Sequence, residues 1–201
     1  MVRKNRNTFI KIFPIFLLNF LLIFFTQRSE AVVRFGLQTN LSTVNNKDVS
    51  TAPSATETLG EAYFMVQLQK ESKYYLTLGY LQMSSVVPIS TTSTSYFSSG
   101  SFYGGINIFI YEDAVSLGAY FSPYVQGEYS EGNSEVEVWG GNAYMLKLNG
   151  HPRISDHFFF DISLSYYSAY YSTRSVTTPV STVTNFGQSV IMPMVGLQIL
   201  Y

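Results

Sequence analysis

From Val33 to the last residue the chain alternates, again and again, between apolar and small or polar residues with a period of two. Val33, Phe35 and Leu37 interleave with Arg34, Gly36 and Gln38. Ala62, Phe64, Val66 and Leu68 interleave with Glu61, Tyr63, Met65 and Gln67. The pattern returns over 74–80, 102–110, 115–126, 143–148, 158–167 and 195–201. A period of two is the signature of a strand with two unlike faces, and no stretch of this part reads as a long amphipathic helix. About eight strands are predicted, each able to supply the ~9–11 residues that a tilted membrane strand needs.

The chemistry of the two faces decides what each one meets. One face is aliphatic and aromatic; the other mixes Gly, Ser, Thr, Asn, Gln and Tyr with a few charges. A soluble sandwich would turn its apolar face inward and carry Lys and Glu outside. Here the polar face is small and neutral, which suits the crowded interior of a narrow barrel with its apolar face in lipid. Charged residues make up 12% of the chain, about half the usual ~25%, while Tyr and Phe number 16 each.

The first 31 residues read differently. Arg3, Lys4, Arg6 and Lys11 precede an apolar run from Ile12 to Phe25, and Ser29-Glu30-Ala31 places small residues at the two positions a signal peptidase reads. The run is short of the ~20 residues of a spanning helix and contains Pro14. A signal peptide over 1–31, followed by a barrel over 32–201, is the expected organisation. Without residues 1–31, seven basic and twelve acidic residues remain, a net charge of −5. No basic patch is left for nucleic acid. There is no cysteine, so neither a disulfide framework nor a lipid-carrying cysteine is expected.

Connections alternate in length. Asn40–Leu59, Ser84–Ser99 and Ser172–Asn185 are long and rich in Ser and Thr. Gln69–Lys73 and Tyr111–Asp113 are short and charged, and Asn149–His157 is intermediate. Glu128–Ser134 breaks the pattern as a short turn at the long-loop end. Long loops outside the cell and tight turns in the periplasm are the asymmetry of outer-membrane barrels. The β-branched residues of the long loops allow the strands to continue beyond the membrane. Within Ser172–Asn185, Arg174 is an expected exposed target for trypsin. Two aromatic levels are expected as interfacial girdles: Tyr96, Phe97, Phe102, Trp139, Tyr166 and Tyr170 toward the loops, and Tyr74, Phe158 and Tyr201 toward the turns.

Gly196, Ile199 and the terminal Tyr201 match the glycine, hydrophobic and final aromatic positions of the C-terminal signature of bacterial outer-membrane barrels. Met194 departs from that signature, which has a polar residue there. Together with the strand pattern, this chain resembles the small eight-stranded family of the OmpA transmembrane domain and the OmpX-like barrels. The resemblance implies an all-β, up-and-down antiparallel transmembrane barrel. It also implies that the barrel-assembly machinery recognises Gly196, Ile199 and Tyr201. Lipid and lipopolysaccharide are the expected surroundings. No nucleic acid partner, cofactor or metal is expected, and any extracellular ligand is left open.

Six residues of the inward face, Arg34, Glu61, Gln67, Lys147, Asp161 and Gln198, are expected to form a polar network, since a charge inside a barrel must be paired or hydrated. The network either fills the barrel or gates it; an eight-stranded barrel barely holds its own side chains, which favours filling. The chain's two histidines, His151 and His157, flank Asp156 and are read as residues of one turn. Catalysis by them would need a serine within hydrogen-bond reach at the depth of the outer leaflet, and metal binding would need more ligands. The functional expectation is a non-enzymatic anchor for Ser/Thr-rich loops serving surface structure, adhesion or envelope integrity. A narrow channel for small or apolar solutes and a lipid-modifying enzyme are the alternatives.

Overall fold

The computed structural model describes residues 32–40, 56–88, 94–132, 135–175 and 181–201, with only the backbone of Thr56, 87–88 and 181–186. The expected signal peptide and the tips of the three long loops lie outside the described residues. Eight strands follow one another: β1 (Val33–Asn40), β2 (Thr56–Gln67), β3 (Tyr74–Pro88), β4 (Thr94–Tyr111), β5 (Val115–Glu131), β6 (Glu137–Gly150), β7 (Phe158–Ser175) and β8 (Ser181–Leu200). Each pairs antiparallel with its sequence neighbour, and β8 returns to β1 through pairs such as Leu37–Leu197, which closes the barrel.

The alternation is realised as two walls. Phe35, Leu37, Ile106, Ile108, Leu117, Leu146, Leu164 and Leu197 are exposed on the outside. Arg34, Gln38, Glu61, Asn107, Lys147, Asp161 and Gln198 are buried inside. An outer wall this apolar is stable only against lipid. On β4 the outward run descends from Phe102 through Ile106, Ile108 and Ile110 to Tyr111. Those nine steps cover about 30 Å of strand, or roughly 23 Å at a tilt of ~40°, close to the ~25 Å apolar band of such barrels.

Strands outrun their alternation at the loop end. β4 begins at Thr94, eight residues above Phe102, and β7 runs to Ser175. Past the apolar band, Ser and Thr replace the aliphatic outward residues, yet the ladder continues through pairs such as Val86–Tyr96 and Tyr96–Ser130. Arg174 therefore sits in a paired strand opposite Trp139 and Thr182, not in a free loop. At the turn end, Glu71 and Glu112 carry positive φ, of 59° and 41°, in the tight connections β2–β3 and β4–β5.

Two sequence expectations fail for geometric reasons. Simple alternation through β5 puts Val125 outside and Tyr124 inside. In the structure Val125 has 0% exposure and Tyr124 has 61%. The register on both neighbours skips one residue of β5 between Ser122 and Val125. Pro123 has no N–H for the ladder, so a bulge forms there and reverses the phase above it. The second failure is the upper girdle. Tyr96, Phe102 and Tyr170 are outward and exposed, but Phe97 and Trp139 pack against the interior cluster.

Tyrosines on neighbouring strands fill the room left by inward glycines. A Cβ on Gly36 would overlap the Tyr63 ring, and one on Gly79 would overlap the Tyr103 ring. These are directly paired positions, Gly36–Tyr63 and Gly79–Tyr103. Without a side chain at the glycine, each ring can lie across the barrel and bring its hydroxyl to an interior carboxylate.

Candidate functional site

Inward residues change character along the strands. On β6, Asn149 and Lys147 near the turn end give way to Met145 and Ala143; on β8, Gln198 gives way to Met194 and Met192. Every methionine after Met1 is buried in the interior: Met65, Met83, Met145, Met192 and Met194. Adaptable thioethers suit the irregular gaps of such a centre.

In the turn-end half, Lys147 Nζ donates to Glu61 Oε2, and the Tyr103 hydroxyl donates to Glu61 Oε1. The Lys147 ammonium also lies 5.2 Å from the centre of the Tyr63 ring. The Tyr63 hydroxyl donates to Asp161 Oδ2 and accepts from Gln198 Nε2 at 3.0 Å. Gln198 Oε1 accepts in turn from Arg34 Nη1 at 3.0 Å. Arg34 also pairs with Asp113 of the β4–β5 turn and lies over the Phe109 ring at 4.6 Å and the Phe159 ring at 5.1 Å. Five of the six residues singled out in the sequence thus meet in one connected network. Gln67 does not join it. Its side chain donates to the Ser72 carbonyl at 2.7 Å, in the β2–β3 turn.

His151 lies in the β6–β7 connection, as read from the sequence, but is turned into the barrel. It continues the inward parity of Lys147 and Asn149 and is buried, while His157 is exposed. Its Nε2 is 2.9 Å from Ser116 Oγ. Its Nδ1 is 3.2 Å from Asp161 Oδ1, an ion-pair distance without hydrogen-bond alignment. Asn149 Nδ2 donates to Ser116 Oγ at 3.2 Å. The order Ser–His–Asp is that of a nucleophilic relay. Ser116, however, has no exposed surface. The void bounded by Glu61, Tyr63, Asn107, Tyr120, Lys147 and Asn149 admits no water. Ser116, His151 and Asp161 are all buried in the wall and interior of the barrel. Among the described residues no group of three His, Cys, Asp or Glu side chains is arranged to hold a metal ion.

Above the methionines an aromatic cluster closes the loop end. Tyr171 packs against Phe97 at 5.6 Å and Trp139 at 6.1 Å, and Trp139 meets Tyr129 at 6.3 Å. Glu137 accepts from Trp139 Nε1 at 3.1 Å and pairs with Arg174, whose guanidinium lies 5.8 Å from the Trp139 ring. Between cluster and network, the void lined by Leu81, Ser101, Tyr103, Tyr120 and Met145 holds about 10 Å³, room for one water at most.

The assembly-signature residues lie on β8 and at its end. A Cβ on Gly196 would run into the Leu37 carbonyl of β1, so this glycine permits the closing strands to approach. Ile199 and Tyr201 point outward, and the Tyr201 amide donates to the Val33 carbonyl at 2.8 Å.

No family profile and no curated protein sequence matches the chain. Solved structures do. The crystal structure of Ail, the attachment invasion locus protein of Yersinia pestis, is similar over 85% of this chain and 97% of its own, at 16% identity and a TM-score of 0.51. Neisserial surface protein A is similar over 85% of this chain and 96% of its own, at 13% identity and a TM-score of 0.41. The likeness to Ail establishes the fold, that of a small transmembrane barrel.

Proposed function

We propose that this protein is a non-enzymatic anchor in the bacterial outer membrane, holding its strand extensions and loops outside the cell. The observation that carries the reading is a filled interior inside an apolar outer wall. With polar network, methionines and aromatic cluster in place, the two voids described inside the barrel admit at most one water. The surface left for a role is the part that rises above the apolar band. In this reading residues 1–31 are the signal peptide, both ends of 32–201 are periplasmic, and Gly196, Ile199 and Tyr201 are read by the assembly machinery. Arg34, Glu61, Lys147, Asp161 and Gln198 serve as packing. Adhesion is the favoured form of the surface role, in keeping with the name of Ail, the attachment invasion locus protein.

The absence of cysteine gives a clean test. Single cysteines at Glu131 and at Ser155, on opposite ends of the barrel, are treated with a membrane-impermeant maleimide on intact cells. Labelling is expected at position 131 and, at 155, only after lysis. Labelling at 155 alone in intact cells would invert the topology, and recovery of the protein in a soluble fraction would remove the anchor reading.

A further inference from the structure

Resting on the reading above, the loop end can be asked what it would bind. Between Leu81 and Phe102, and again between Tyr124 and Gly141, the sequence contains no Lys or Arg but four glutamates, Glu128, Glu131, Glu135 and Glu137. The described cation at this end is Arg174, and it is taken by Glu137 and Trp139. Glu128, Glu131 and Glu135 remain exposed, and no described cation pairs with them.

On the outward face of the same strands lies a cleft of about 190 Å³. Its outward lining includes Val86, Tyr96, Ser98, Glu128, Ser130 and Val136. Val86, Tyr96 and Ser130 stand side by side on β3, β4 and β5, with Ser98 and Glu128 in the next outward row. The cleft lies beyond Phe102, above the apolar band, so lipid does not account for its valines and its ring. It is smaller than the ~300–1,000 Å³ of a ligand pocket and has the size for one long side chain.

We infer that this cleft receives a lysine or arginine side chain from a cationic protein partner. The two valines suit the alkyl stem, which long basic side chains bury readily. The Tyr96 ring and the Glu128 carboxylate both attract the charged head, and the Ser98 and Ser130 hydroxyls accept its N–H groups. The surrounding glutamates steer a basic surface inward and repel a polyanion.

The probe is fluorescein-labelled hexalysine, read by anisotropy on the full protein purified from membranes in a zwitterionic detergent. Binding is expected, weakening with salt. Glu128→Gln and Tyr96→Ala should each weaken it about three- to fivefold, the scale of an exposed charge or cation–ring contact. Glu131→Gln and Glu135→Gln, which remove the same charge away from the cleft, should change it less than about twofold. Unlabelled hexalysine should compete. Absence of hexalysine binding would overturn the inference, and so would equal losses for all three glutamate variants, which would mean diffuse attraction without a cleft. Neither result touches the anchor reading, which stands or falls on maleimide labelling.

Discussion

Replacing Lys147 with Met isolates the energetics of the barrel interior. Lys147 and Glu61 are both buried, and their side chains meet near the centre of the polar half. Methionine keeps the unbranched stem of lysine but removes the ammonium. Glu61 then keeps the Tyr103 hydroxyl and loses its counter-charge. Breaking a buried pair from one side costs about 3–5 kcal/mol, because the remaining charge is stranded in a medium that cannot solvate it. With a urea slope of about 2 kcal/mol/M, the unfolding midpoint should fall by about 2 M. The protein has a single tryptophan, Trp139, whose packing in the loop-end cluster makes its emission a probe of barrel opening in lipid vesicles. Adding Glu61→Gln removes the stranded charge and leaves an acceptor for Tyr103. The double variant should recover to within about 1–2 kcal/mol of the parent. A loss below about 1 kcal/mol for Lys147→Met, or a double variant as weak as the single one, would refute the view that this pair is a desolvated, mutually dependent unit.

Three further outcomes follow from the same geometry. Arginine placed along the outward face of β4 should cost about 2–4 kcal/mol at Ile106, less at Phe102, and almost nothing at Ser98, measured by urea unfolding in vesicles; equal costs at Ile106 and Ser98 would erase the membrane boundary drawn at Phe102. Gly79→Ala should lose about 1–3 kcal/mol in the same assay by displacing the Tyr103 ring, whereas Gly60→Ala, where a Cβ meets nothing within 4 Å, should be nearly silent. A fluorophosphonate probe should leave Ser116 unmodified in the folded protein and label nothing that Ser116→Ala abolishes; labelling at Ser116 would turn the buried relay into an enzyme.

Strand number, closure and the sorting of side chains into two walls were legible because lipid and a narrow interior impose unlike demands on alternate residues. Parity carried more than was drawn from it. Trp139 and His151 share parity with Lys147, and Phe97 shares it with Tyr103, so their inward placement follows from counting along β6 and β4. Residue type misled there: a tryptophan suggested a girdle, and Gly150 with Pro152 suggested a turn that had already left the barrel. The bulge at Pro123 is harder to read, since one proline reverses the phase only when both neighbouring strands skip the extra residue. Strand ends were least legible. Above Phe102 nothing outside selects apolar residues, so alternation fades while hydrogen bonding continues. The Ser116–His151–Asp161 contact joins three strands or their ends and has no local sequence pattern.

The extent of that continuing ladder bears on where function resides. Ordering each backbone residue costs about 1–2 kcal/mol, and lipid gives no return on residues beyond the apolar band. A barrel serving only as a membrane plug could turn at Phe102. Here β4 persists for eight more residues, and β3 and β5 keep pairing with it as far as Pro88–Thr94 and Ser95–Glu131. Within the barrel, by contrast, Arg34 and Lys147 are matched by Glu61 and Asp161, and Arg34 reaches Asp113 as well. Such a set balances its own charges inside the barrel. The extension has the opposite character: exposed carboxylates that no described cation pairs, an open cleft, and a continuous sheet beneath them. Preorganised strands lower the ordering cost that a floppy loop would bear on contact. On the anchor reading proposed above, the extension is the part that meets something else, and the filled barrel holds it above the membrane.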